Sequence, residues 1–292
     1  VRARFLGPGS VRHARSQVHE SSKKHESEKR KKNQFPKHPA SAYVRRLRSP
    51  GMAVLRSLVT YVNGVLVTLF ASIMAMFVAL VRPRSPWVDR ITRGWARACL
   101  WPSGVQLEVR GRERPDPTGS YVVVSNHQST FDIMSHFIAL PVPIRFLAKK
   151  ELFSTPFLGW ALKAMDMVPV DRGARSSYRS VEEGARRIAG LGKSIIVYPE
   201  GTRTVDGSLL PFKKGAFAIA IRTGLPVLPT TISGADRAWK ARHKVIDGGP
   251  IIVVVGDPIP TEGLTEGDVD DLRDRVKQVI QHTLDELAKE VP

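Results

Sequence analysis

The spacing of apolar and polar residues divides the chain into three parts. Residues 1–50 show neither a 3.6-residue nor a 2-residue apolar period and include the charge run EKRKK at 28–32, the pattern of a solvated, disordered segment. Residues 58–81, LVTYVNGVLVTLFASIMAMFVALV, contain no charge. As a helix rising ~1.5 Å per residue they reach ~36 Å, against ~30 Å of bilayer hydrocarbon, which predicts a membrane helix, spanning or folded back as a hairpin. Residues 87–101 place Trp87, Ile91, Trp95 and Ala98 at helical spacing, with Asp89, Arg90, Arg93 and Arg97 on the other side. Trp opposite Arg is the pattern of an interfacial helix, and also of an amphipathic helix packed on a domain. From 104 onward short apolar runs alternate with helical stretches. VQLEVR, YVVVS (121–125), IRFLA (144–148), MVPV (167–170), SIIVYP (194–199), LPVLPTTI (225–232) and IIVVV (251–255) read as strands. Residues 178–191, capped by Gly192, and 213–223 read as helices. So does a final helix from Thr265, where Asp268 completes a capping box and Val269, Leu272, Val276, Ile280 and Leu287 form the inward stripe. This alternation predicts an α/β domain with a central, largely parallel or mixed sheet flanked by helices. The expected organisation is a basic tail over 1–56, a membrane-anchoring helical segment over 57–101 and a catalytic domain over 102–292.

Composition sharpens the picture at two points. The chain has 292 residues and a net charge of +18, and residues 1–50 alone hold 14 of the 45 Lys and Arg against 3 of the 27 Asp and Glu. The basic excess points to anionic partners, and the apolar 58–81 run favours lipid over nucleic acid. Because Met52 opens the first apolar segment, residues 1–50 read as a possible upstream extension of the coding sequence. The single cysteine, Cys99, excludes an intrachain disulfide and a multi-cysteine zinc site.

The sequence lacks GxSxG, HExxH and a GxGxxG following a strand. GLGKS at 190–194 precedes its strand and has Arg187 where a phosphate loop needs its first glycine. What remains is VVVSNHQSTFD (122–132), in which His127 and Asp132 follow a strand and meet only if the chain turns between them. Ser129 or Thr130 can then cap a new helix with Asp132 in its first turn. An imidazole oriented by a carboxylate is a general base. Taken alone, the spacing favours a structural histidine bound to a helix-cap aspartate. A second strand runs into Pro199-Glu200-Gly201-Thr202-Arg203. Gly201 permits close backbone approach, and the Arg203 fork suits phosphate. Lys149, Arg172 and Lys213 also follow strands or open a helix, which suggests a phosphate-bearing substrate beside a base; Lys150 and Lys214 read as solvated charges.

In order and spacing, NHQSTFD, MVPVDR, YPEGTR and LPVLPTTI resemble the four blocks of the glycerolipid acyltransferases, and AKKELFSTPFLGW (148–160) and PFKKGAF (211–217) resemble the branch that acylates lysophosphatidate. The similarity covers about residues 100–260. It implies acyl transfer from acyl-CoA or acyl carrier protein to the sn-2 hydroxyl of 1-acyl-sn-glycerol-3-phosphate, giving phosphatidic acid, with no cofactor and no metal. It implies His127 as base and Asp132 as its partner. Glu200, Gly201, Thr202 and Arg203 are implied to bind the glycerophosphate, supported by Arg172 and Lys149, and the block around Pro226 and Pro229 to shape an acyl channel. Membrane lipids are the implied partners, with the catalytic domain facing the cytoplasm at a bacterial inner membrane or its equivalent. The second block departs from the family at Asp166, near which a glycine is expected. Three other readings stay open: an acyltransferase for another lysolipid such as a lyso-ornithine lipid, a membrane-bound hydrolase using the same pair on water, and a non-enzymatic binder of anionic lipid or nucleic acid.

Overall fold

The computed structural model describes residues 50–82, 85–170 and 177–290. Of the basic tail expected over 1–56, residues 1–49 lie outside them, as does Arg172; residues 50–56 are not tail but the first turns of the long N-terminal helix.

All seven predicted strands form, in one sheet: β1 (Val105–Arg110), β2 (Val122–Ser125), β3 (Ile144–Lys149), β4 (Val168–Val170), β5 (Ser194–Val197), β6 (Val227–Ser233) and β7 (Gly249–Val255). The order is β1-β7-β6-β2-β5-β3-β4, parallel throughout except for the antiparallel β6–β7 pair. The inner strands are continuous apolar runs because both faces are covered. Alternation along β2 shows this directly. Val122 and Val124 pack with Ile188, Phe217, Val276 and Ile280, while Tyr121 and Val123 pack with Ala96, Phe137 and Phe146. One helical layer is therefore α5 (Ser177–Gly190), α6 (Gly215–Thr223) and α8 (Val269–Glu290). The other holds α2 (Trp87–Leu100) and α3 (Phe131–Ala139), with α4 (Leu158–Ala164) following β3 and α7 (Ala235–Ala238) following β6. The capping box at Thr265 and Asp268 is present. It opens a short 3-10 turn rather than the α-helix itself, and the five predicted stripe residues are the buried residues of α8.

Helix α1 (Pro50–Val81) returns through α2 as an antiparallel hairpin: Asn63 Nδ2 donates to the Ala98 carbonyl and Trp95 Nε1 to Thr68 Oγ1. α1 has an inverted pattern. Arg56, Ser57, Thr60 and Ser72 are buried against the domain, whereas Leu66, Phe70, Phe77 and Leu80 are exposed. Arg56 Nε donates to the Ile246 carbonyl and Tyr61 to that of Lys244. This helix is long and apolar enough to cross a membrane, yet its polar edge is bonded to protein. α2 also departs from a simple Trp-versus-Arg division. Its buried edge is Val88, Thr92, Ala96 and Cys99, and Arg93 donates to the carbonyls of Leu140 and Pro141, so one arginine of the expected solvent face binds the domain.

Candidate active site

β2, β5 and β3 are adjacent and parallel, so their carboxyl ends deliver Asn126–His127, Tyr198–Arg203 and Lys149 to one edge of the sheet, where open α/β sheets bind ligands. The loop after β2 is pinned by Asn126, whose side chain donates to the Ile232 carbonyl and accepts from its N–H, both at 2.8 Å. The chain then turns into α3, as the spacing required. Thr130 occupies the cap position but makes no capping bond, and its hydroxyl instead accepts from Arg203 at 2.6 Å.

The turn brings His127 Nδ1 to 2.6 Å from Asp132 Oδ2. That oxygen also accepts the backbone N–H groups of Gln128 (2.7 Å) and Ser129 (2.8 Å), which fixes the carboxylate before it orients the ring. Asp132 is fully buried, while the His127 side chain keeps 17% exposure. With Nδ1–H given to a carboxylate, the lone pair lies on Nε2, and this nitrogen can take a proton.

Glu200 sits apart from the other residues of its block. Its Oε1 accepts the His127 N–H at 2.8 Å and its Oε2 the Leu210 N–H at 3.2 Å. The carboxylate is thus a brace between the first and third blocks and is not among the cavity-lining groups. Burial, partly opposed by those two amides, raises it from its ordinary 4.5 to about 7. Gly201, by contrast, faces the cavity with φ +73°, and a Cβ there would fall 2.5 Å from Lys213 Nζ.

His127, Thr130, Lys149, Gly201, Thr202, Arg203 and Lys213 all line a cavity of about 980 Å³. Its remaining wall is largely apolar, including Phe137, Phe146, Leu162, Met165, Met167 and Ile219, and Ala71, Ser72 and Ala75 of α1 contribute. Cations and a candidate base at one end of an apolar chamber fit an amphiphile with an anionic head. Lys150 does not line the chamber, and Lys214 pairs with Asp270 at 2.8 Å. Residues 225–232 contribute nothing to the cavity wall; Thr230 lies buried, 3.3 Å from His136 Nε2. Sequence reasoning did not place Tyr198 or His136 at the site. Tyr198 stacks on His127 and lines the cavity, and His136 lies behind it. The one available signal was His136 four residues after Asp132, on the same face of α3.

Residues 106–233 match the family model described as Acyltransferase. Human 1-acyl-sn-glycerol-3-phosphate acyltransferase alpha is 35% identical over 210 residues, spanning 72% of this chain and 74% of that protein. The chain belongs to the lysophosphatidate acyltransferase family. The human beta form of the enzyme is 32% identical over 221 residues, spanning 75% of this acyltransferase and 80% of its relative. The crystal structure of the lysophosphatidate acyltransferase PlsC from Thermotoga maritima superposes with a TM-score of 0.71 at 26% identity, covering 80% of this chain and 95% of that one. The fold of this acyltransferase, including its seven-stranded, mostly parallel sheet, is therefore the PlsC fold.

Proposed function

We propose that this acyltransferase transfers an acyl group from the thioester of acyl-CoA or acyl carrier protein to the sn-2 hydroxyl of 1-acyl-sn-glycerol-3-phosphate, giving phosphatidic acid. The observation that carries this reading is the His127–Asp132 pair opening onto an apolar cavity whose rim holds Lys149, Arg203 and Lys213. The cations receive the phosphate and the chamber receives acyl chain. The free hydroxyl is thereby held near His127 Nε2. The imidazole takes the hydroxyl proton as the oxygen attacks the thioester carbonyl. The tetrahedral intermediate collapses, the C–S bond breaks, and the thiolate takes the proton back from the imidazolium. No acyl-enzyme forms. A positioned base contributes ~10²–10⁴ in rate, and alignment supplies much of the rest. Asp132 keeps the proton on Nδ1 and offsets the charge of the imidazolium. Arg172, outside the described residues, stays a candidate support for the phosphate on the family pattern alone.

Membrane association is supported by α1, whose outward face is apolar while its inward face is bonded to the domain. A helix lined by protein along residues 56–75 suits insertion of its outer face into one leaflet, with the catalytic domain on the cytoplasmic side.

The test is an assay in mixed micelles with lysophosphatidate and a panel of acyl-CoA and acyl-carrier-protein donors, comparing wild type with His127→Ala. Phosphatidate from wild type and a loss of at least about 100-fold in the folded variant is the expected result. Equal product from both would remove His127 from the chemistry. Product only with a different lysolipid would redirect the acceptor assignment and leave the base in place.

A further inference from the structure

Behind His127 a ring of contacts runs through Asp132, His136 and Tyr198, with the Asp132 backbone carbonyl as one of its links. His127 Nδ1 donates to Asp132 Oδ2 at 2.6 Å. One turn along α3, His136 Nδ1 lies 2.6 Å from the Asp132 carbonyl oxygen, an approach that requires the proton on that nitrogen. The same nitrogen is 3.3 Å from the Tyr198 hydroxyl. The Tyr198 ring returns to the start, stacked on the His127 imidazole with centroids 4.0 Å apart and planes 11° from parallel. His136 is fully buried, and burial lowers it to about 4, so it stays neutral while it holds this arrangement.

We propose that Tyr198 is a positioning residue for the His127 base, its ring face setting the plane of the imidazole so that Nε2 meets the substrate hydroxyl; this rests on the reading of His127 as general base. The need for such a group is geometric. Asp132 holds only Nδ1, and a ring held at one nitrogen still swings about that bond. A flat aromatic face at 4.0 Å removes the swing. The Phe146 ring, at 6.1 Å from that of Tyr198, packs beside the phenol in turn. The face also has an electrostatic effect at the right moment. When Nε2 takes the proton, the imidazolium lies against the electron-rich face of the phenol, an attraction stronger than the one the neutral ring feels. Tyr198 then favours the charged intermediate over the resting base.

Tyr198 also lines the cavity, so the test must separate alignment from binding. Tyr198→Phe keeps the face and loses the hydroxyl; Tyr198→Leu and Tyr198→Met lose the face and keep an apolar wall. We expect kcat to fall about 10- to 100-fold in the Leu and Met variants with KM within about 3-fold, and the Phe variant to stay within about 3-fold of wild type. Wild-type kcat in a folded Leu or Met variant overturns the proposal. So does a change confined to KM, which would make Tyr198 a cavity wall, or an equal loss in Phe, which would assign the effect to the hydroxyl. If neither Leu nor Met folds, Tyr198 is a fold-supporting residue and the proposal fails. His127→Ala, measured alongside, keeps the two levels apart: activity retained there sinks the base reading whatever Tyr198 does.

Discussion

His127 is held by backbone as much as by side chains. Its N–H goes to Glu200, its carbonyl accepts the Thr204 N–H at 2.9 Å, and Asp132 is itself fixed by two amides. Glu200 carries a pH consequence. Its folded value, raised to about 7 from 4.5 by burial, means the folded state binds this proton more tightly than the unfolded chain. The stabilisation is therefore complete below about pH 4.5 and is lost as pH rises through 7. Glu200→Gln should flatten the dependence of the melting temperature on pH across that window, removing a change in stability on the order of 3 kcal/mol in total. A melting curve for the variant as steep as wild type between pH 4.5 and 7 would contradict the assignment. Gly201 makes a second residue-scale prediction. Gly201→Ala forces a Cβ into a left-handed conformation and against the Lys213 ammonium. The backbone term costs about 1–2 kcal/mol. The displaced cation should lower kcat/KM about 10- to 100-fold, read in the same micellar assay.

At the scale of elements, Asp166 shows how a departure from a family pattern is accommodated. It takes φ +55°, the conformation for which a glycine is expected, and its carboxylate pairs with Lys193 at 3.0 Å. Asp tolerates this region better than most residues, and the half-buried ion pair offsets part of the strain. Asp166→Gly should therefore change stability by less than about 1 kcal/mol, since relief of strain and loss of the pair oppose each other. Asp166→Val loses the pair and adds strain at φ +55°, and should cost about 2 kcal/mol or more in chemical denaturation. The strands were legible because each is a short apolar run bounded by turn residues, and α8 because its stripe is strictly periodic. α4 was not legible as a separate helix: it is seven residues long, and Phe157 precedes it at φ +61°. The site was half legible. His127, Asp132 and Arg203 follow strands whose adjacency a parallel sheet enforces. Tyr198 and Glu200 act through a stacked face and two backbone amides, contacts that leave no spacing in the chain. The Glu200 carboxylate, grouped by sequence with the phosphate-binding residues, is turned onto those amides because an unpaired buried carboxylate is far costlier than one with two donors.

For the whole molecule, the governing fact is the direction of α1. The hydrophobic run announced a membrane helix, but its scattered Ser, Thr and Asn residues gave no sign until the fold showed them on one edge, against protein. Vesicle binding should depend on the other edge. Replacing Leu66, Phe70, Ile73 and Phe77 by Ser should lower partition into phospholipid vesicles at least about 100-fold, since each apolar side chain contributes ~1.5–3 kcal/mol on burial. Activity on micellar substrate should persist. Flotation of the variant with vesicles as complete as wild type would show that another surface holds the protein.

Because Thr68, Ala71, Ser72 and Ala75 of that same helix form part of the chamber wall, α1 cannot be treated as a detachable leash. Trimming it to obtain a freely soluble enzyme would breach the cavity, strand the Ile246 and Ala98 carbonyls now capped by Arg56 and Asn63, and leave a protein that dissolves but has lost one side of its chamber. Solubilisation has to come from masking the outer face of the helix, by detergent or by surface substitution, with the chain intact.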